Sequence, residues 1–340
     1  MLFNKINIFS AWLIMLGVSV ALIILIGGYT RISDSGLSIT EWLPVRGILY
    51  PMNEATWLIE FSKYKMIDEF MLVNSGMTIT EFKVIYFWEW FHRAFARLIG
   101  LIYIIPLIYL IISKNIPKGY YSNILLIGIL LAIQAIVGWY MVKSGLAGRV
   151  DVSQYRLSLH LTIAFTILGL IFYSLLRFFY EHKFNEDLFK RKNLLLMLFI
   201  FIFFQIIYGA FVSGTDSGLL YNTWPFYNGY LVPENLTIQN KYLYNFFENK
   251  DFILFFHRTF ALILLLIIIY LNFIIFNTGS KYETLILIIF LDIIFLIQGG
   301  IGVLMTFLNI PWYLALAHQG NSIILFLLSI YMWVLTRKSS

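Results

Sequence analysis

Apolar residues along this chain gather into eight long runs, at roughly 9–28, 84–112, 122–142, 157–179, 194–212, 252–276, 284–306 and 313–335. Each is long enough to cross a bilayer as a helix. The polar stretches between them are short, except at 29–83 and 213–251. The pattern predicts an all-α membrane protein with eight transmembrane helices. The chain's start runs straight into the first apolar run without an A-x-A cleavage pattern, so that run reads as a retained first helix.

Within the first long connection, Trp57, Phe61, Tyr64 and Met71 fall on one face of a helical pattern, with charges mostly opposite. That predicts a helix over about 54–72, lying in the membrane interface and roofing a pocket, or a solvated loop helix with no such role.

Charge sets the orientation. The chain carries 24 Lys and Arg against 18 Asp and Glu, a net charge of +6, yet its basic residues are dispersed among short connections. Dispersion argues against nucleic acid as a partner and for topology as the cause. If the N-terminus is cytoplasmic, that side holds Lys5, Lys114, Lys118, Lys183, Lys190, Arg191, Lys192, Lys281, Arg337 and Lys338. Of the short loops opposite, 143–156 holds Lys143, Arg149 and Arg156, and 307–312 holds none. Both termini are therefore expected inside. Cysteine is absent, which excludes disulfides, thiolate metal sites, iron–sulfur clusters and thioether haem attachment.

A repeat runs through the eight spans. RISDSGL at 31–37 answers SGTDSGL at 213–219, and FHRAFA at 91–96 answers FHRTFA at 256–261. QAIVG at 134–138 answers QGGIG at 298–302, and His160 answers His318. Four helices per half give both halves one orientation, as in a parallel repeat. Two pseudo-symmetric four-helix bundles are expected, at 1–180 and 194–340, joined by a cytoplasmic linker at 181–193.

Four of the five histidines lie in spans, one in each even-numbered helix, toward the outer end; His182 falls in the linker and reads as a surface residue. A single membrane histidine commonly serves as interhelical glue. Four at one depth, two per repeat, instead suit bis-imidazole ligation of haem iron by His92, His160, His257 and His318. The residue four positions after each is small: Ala96, Ala164, Ala261 and Ser322. That leaves clearance for a flat macrocycle, although close helix packing favours small residues too.

One carboxylate breaks the repeat. Glu89 stands three residues before His92, on the same helix face, whereas Leu254 holds the matching place before His257. An ionisable group in a membrane helix costs about 2.5–3.5 kcal/mol at the centre, so Glu89 calls for a role. It is placed to take a proton or steady positive charge at a haem edge, or else to pair with Arg93 or Lys83. Arg93, Arg97 and Arg258 suit haem propionates, or snorkel to the interface. Asp292, mid-span, has no assigned role.

These residues resemble a known family. GGYTRISDSGLSITEW at 27–42, EFSKYK at 60–65 and NSGMTITEFK at 74–83, running into WEWFHR at 88–93, are similar to haem A synthases. The likeness is to the mitochondrial and alphaproteobacterial branch, which lacks a cysteine pair in the first outer loop. It extends over nearly the whole chain, with one departure: Ala96 stands where glycine is expected. The resemblance implies oxidation of a ring methyl of haem O to a formyl group in a bacterial inner membrane. It implies a haem b cofactor on His257 and His318 with Arg258 near it. It also implies a substrate haem on His92 and His160 and a need for Glu89; Arg93 and Arg97 are the cations expected near that haem on charge alone. A haem O-producing farnesyltransferase, an electron-transfer partner and a homo-oligomer are the partners it brings to mind. Two rivals remain: a di-haem b-type electron carrier, and a parallel-repeat transporter with histidine proton relays.

Overall fold

The computed structural model describes the chain except residues 1–5, 43–45, 181–182, 235, 237–241 and 338–340. Lys5, His182 and Lys338 of the topology and linker expectations lie outside the described residues. Among those described, eight helices are long and apolar enough to cross a membrane: α1 (Ile8–Ile32), α4 (Ile79–Ile112), α5 (Tyr121–Gly145), α6 (Gln154–Tyr180), α8 (Lys192–Thr215), α10 (Lys250–Asn277), α11 (Tyr282–Phe307) and α12 (Trp312–Val334). Four shorter helices join them: α2 (Glu54–Tyr64), α3 (Asp68–Leu72), α7 (Glu186–Phe189) and α9 (Tyr242–Glu248). The chain is a multi-pass, all-α membrane protein.

The helices outrun their apolar cores by a few residues, and capping explains the clearest case. The apolar run begins near Val84, but α4 starts five residues earlier, after Thr78. Thr78 and Glu81 form a reciprocal capping box, the Thr78 hydroxyl taking the Glu81 amide and the Glu81 carboxylate taking the Thr78 amide. α1 likewise runs past its apolar stretch through Tyr29, Thr30 and Arg31, to Ile32.

The fold divides into two compact units, residues 7–167 and 168–340 with 1–6, and the division falls inside α6. In the first unit α1 packs along α4, where the Trp12 indole donates to the Ile102 carbonyl at 2.8 Å. Tyr103 of α4 donates to the Ile124 carbonyl of α5 at 2.8 Å. In the second unit α8 packs on α10 and α12, and α11 on α12 and α10. Phe326 of α12 sits beside Phe199 and Phe203 of α8, and close under Gly169 in the last part of α6. The polar segment before α8 is docked: Asn185 donates to Thr284 at 2.9 Å, and Asp187 accepts the Lys281 amide at 2.9 Å.

The 54–72 segment differs from its expected form. It is two helices, α2 and α3, and its apolar face is covered by α4 rather than turned toward lipid. Trp57, Phe61 and Tyr64 are buried in one cluster with Ile39, Phe82 and Tyr86. The break at Lys65–Ile67 changes the helical phase, so Phe70 packs on this cluster while Met71 is exposed. The added first turn of α4 supplies Phe82, and it and Tyr86 just beyond are the rings that cover α2.

Candidate functional site

Each unit holds a pair of imidazoles. In the first, His92 of α4 and His160 of α6 stand within electrostatic reach of each other. In the second, His257 of α10 and His318 of α12 do the same. The four expected histidines therefore fall two in each unit, and the two in each unit interact electrostatically. Nδ1 of His160, His257 and His318 is buried without a hydrogen-bond partner. A buried polar nitrogen left unpaired costs roughly 1–3 kcal/mol, and no protein group offsets that cost at these Nδ1 atoms. Among the described residues no three of His, Asp and Glu converge as on a protein-held metal ion. Two imidazoles per unit, with the remaining iron ligands supplied by a macrocycle, fit haem better than a closed zinc site.

The imidazoles rest on glycine. A Cβ placed on Gly27 of α1 would lie 3.0 Å from Cε1 of His92, and on Gly138 of α5, 3.1 Å from that of His160. On Gly209 of α8 it would lie 3.4 Å from Cε1 of His257, and on Gly302 of α11, 3.2 Å from that of His318. Gln134 of α5 donates to the His160 carbonyl at 3.0 Å, and Gln205 of α8 to the His257 carbonyl at 2.9 Å. Gln205 and Gly209 escaped the sequence reading. Their signal was the Gln-x3-Gly spacing already noted at 134–138 and 298–302.

Glu89 is buried, with 3% of its surface exposed, and its oxygens are fully engaged. Oε2 accepts the Ser38 hydroxyl and the Ile39 amide, both at 2.7 Å. Oε1 pairs with Arg93 at 2.5 Å. Of the two partners considered for it, Arg93 is the one realised. Arg93 reaches further, donating to the carbonyls of Ile39 at 3.1 Å and Glu41 at 3.2 Å, with its guanidinium over the Trp42 ring. Together Glu89 and Arg93 clasp the 38–42 segment onto α4. The sequence repeat does not show this, because the clasp depends on backbone groups of a loop.

The second unit has a counterpart built from other residues. Arg258, which follows His257 as Arg93 follows His92, donates to the Thr223 carbonyl at 3.1 Å and lies over the Tyr227 ring. The Tyr221 hydroxyl donates to Asp251 of α10 at 2.5 Å. In place of Glu89 stands buried Leu254. The Asp residues of the two DSG motifs, Asp34 and Asp216, both take left-handed backbone, with φ of 47° and 53°. Asp tolerates that conformation at a helix end. Asp292 donates nothing but accepts from Asn272 of α10 at 2.8 Å, so the mid-span acid has an intramembrane partner.

Outside the spans, Glu69 of α3 lies beneath α2 and is almost wholly buried. The Tyr64 hydroxyl donates to its Oε1 at 3.1 Å, while Oε2 has no partner. Burial pushes its pKa up to about 8, outweighing the Tyr64 hydrogen bond.

Comparison with known proteins agrees with this picture. Residues 10–330 match the model of a family described as cytochrome oxidase assembly protein. A heme A synthase of Pelagibacter ubique is 39% identical over 338 residues, covering 99% of this chain and 98% of its own. One from Wolbachia pipientis wMel is 39% identical over 335 residues, covering 97% and 93%. One from a Chelativorans species is 36% identical over 326 residues, covering 96% and 90%. The chain belongs to the haem A synthase family of cytochrome oxidase assembly proteins.

Proposed function

We propose that this chain makes haem A by oxidising a ring methyl of haem O to a formyl group, with the work divided between its units. What supports the reading is two interacting imidazoles inside each unit, with buried Glu89 three residues before His92 and buried Leu254 in the matching place before His257. His257 and His318 would hold a permanent haem b, and His92 and His160 the substrate haem. When bound, iron porphyrin supplies the redox chemistry that no protein side chain here can.

The protein's own part is placement, exclusion of water and proton handling. The Glu89–Arg93 clasp holds Ser38 to Trp42 against α4, close in sequence to His92, and shields that end of the unit. Glu89 Oε2 is the atom proposed to receive a proton during oxidation. It can do so only as the Ser38 or Ile39 bond opens, so movement of the 38–42 segment would govern access to it. Arg93 balances the buried charge. Arg97, one turn beyond Arg93, remains the proposed partner of a substrate propionate. Arg93 and Arg258 are already committed to loop carbonyls, so we assign them first to closing their loops. The inner membrane of a bacterium, with the four histidines toward the outer face and both termini inside, is the proposed setting. Haem O is the substrate; the farnesyltransferase that makes it, an electron-transfer partner and a second copy of the chain are proposed associates.

Glu89→Ala and Glu89→Gln, expressed with a haem O supply, test the division of labour. Both are expected to retain haem b and to yield no haem A by pigment extraction. If Glu89→Gln restored haem A, the side chain would be a loop clasp and not a proton acceptor. Two stable haems b in the wild-type protein, with no haem O or A, would instead indicate an electron carrier.

A further inference from the structure

The Gln-x3-Gly stretches carry no reactive group, and the function proposed above leaves them unused. They occur at 134–138, 205–209 and 298–302, in α5, α8 and α11. In α1 the glycine is kept as Gly27, with Ile23 in the glutamine's place. These four glycines share one feature: each lies against the Cε1 edge of one of the four paired histidines. Gly128, Gly145 and Gly218 instead face Tyr103, Leu37 and Ile310. The contact crosses from an odd-numbered span to an even-numbered one every time.

A glycine has no Cβ, so an imidazole can approach the bare helix backbone. Alanine at Gly27, Gly138 or Gly302 would bring a carbon to 3.0–3.2 Å of the ring. Carbon–carbon contact is comfortable only from about 3.5 Å, so the ring would tilt or the helices part. At Gly209 the corresponding distance is 3.4 Å, and the ring could stay almost where it is. The glutamine one turn earlier acts on the same histidine from a second side. Gln134 and Gln205 bond the histidine carbonyl, fixing the height of its helix. Gln298 instead accepts from Asn321 at 2.8 Å, three residues after His318 on the same helix.

We propose that Gly27, Gly138, Gly209 and Gly302 are positioning residues that set the ring planes of the four histidines, with Gln134 and Gln205 fixing two of them along the helix axis. The proposal rests on the reading that these histidines ligate haem iron. Metal–ligand distances hold within about 0.2 Å, so a displacement of a few tenths of an ångström at the ring edge must register at the metal.

Full-length protein purified in detergent tests this by electron paramagnetic resonance of its low-spin haem, with haem content measured alongside. Wild type is expected to give a bis-imidazole signal, and Gly209→Ala to superimpose on it. Gly302→Ala, and the bulkier Gly209→Val, are expected to shift the highest g-value or convert part of the signal to high spin. If Gly302→Ala does not accumulate, Gln205→Ala carries the test, since it removes the bond to the His257 carbonyl and adds no bulk near the ring, which the Gln205 amide approaches at 3.4 Å, and a shifted signal is again expected. Folded, haem-replete Gly302→Ala and Gly209→Val, or Gln205→Ala standing in for the first, with wild-type spectra would overturn the proposal. A wild-type protein without any bis-imidazole signal would overturn the ligation reading beneath it instead.

Discussion

At the scale of single residues, the buried acids divide into one that is satisfied and one that is not. Glu89 has three donors on its two oxygens, so removing one leaves a buried charge short of a partner. Arg93→Ala should cost about 3–5 kcal/mol of stability, and Ser38→Ala about 1–3 kcal/mol, measured by thermal unfolding in detergent. Glu69 is the opposite case, with a raised pKa near 8 caused by burial. Its folded form holds a proton that the unfolded chain releases near pH 4.5. The cost of keeping that proton is absent below pH 4.5 and grows until about pH 8, so stability falls over this window. Glu69→Gln should match wild type near pH 4.5 and exceed it by at least ~1 kcal/mol at pH 8. Equal unfolding curves at both pH values would rule this out. His92, His160, His257, His318 and Glu89 were legible in the sequence because their spacing repeats, or breaks a repeat. What Glu89 touches was not, since Ser38 and Ile39 meet it across fifty residues of chain through a hydroxyl and a backbone amide.

Among the elements, the spans were legible and their ends less so. Apolar length marks where lipid must be, and says nothing of the polar turns that a cap such as Thr78–Glu81 adds. That added turn of α4 carries Phe82, which packs with Tyr86 of the apolar run against α2. The alternation of apolar and charged residues in 57–71 does not distinguish a lipid face from a protein face, which is why an interface helix and a solvated loop helix both stood open for it. Trp57→Ala should cost about 3–5 kcal/mol within this cluster. Its effect should be local: faster proteolysis of 46–77, with the haem b spectrum of the second unit unchanged. Loss of that spectrum would contradict a local effect. In the other unit, Asn272→Ala removes the intramembrane partner of Asp292 and should cost about 0.6–1.7 kcal/mol, read from unfolding in detergent.

For the whole molecule, the described structure has two compact units with two of the four histidines in each, and the division between them falls within α6 rather than in the polar linker. Linker composition marks where the chain is hydrophilic; the boundary follows packing, and the last turns of α6 pack on Phe326 and Ile330 of α12. The family places haem chemistry in this architecture, and the single carboxylate asymmetry between Glu89 and Leu254 suggests which half performs it. The most direct measurement is the pigment content of two purified single variants, His92→Leu and His257→Leu, made in cells that supply haem O. His257→Leu should lose haem b, whereas His92→Leu should keep a full complement of haem b and contain no haem A. Retention of haem b by His257→Leu, or haem A at wild-type level in His92→Leu, would contradict the assignment of one haem to each pair.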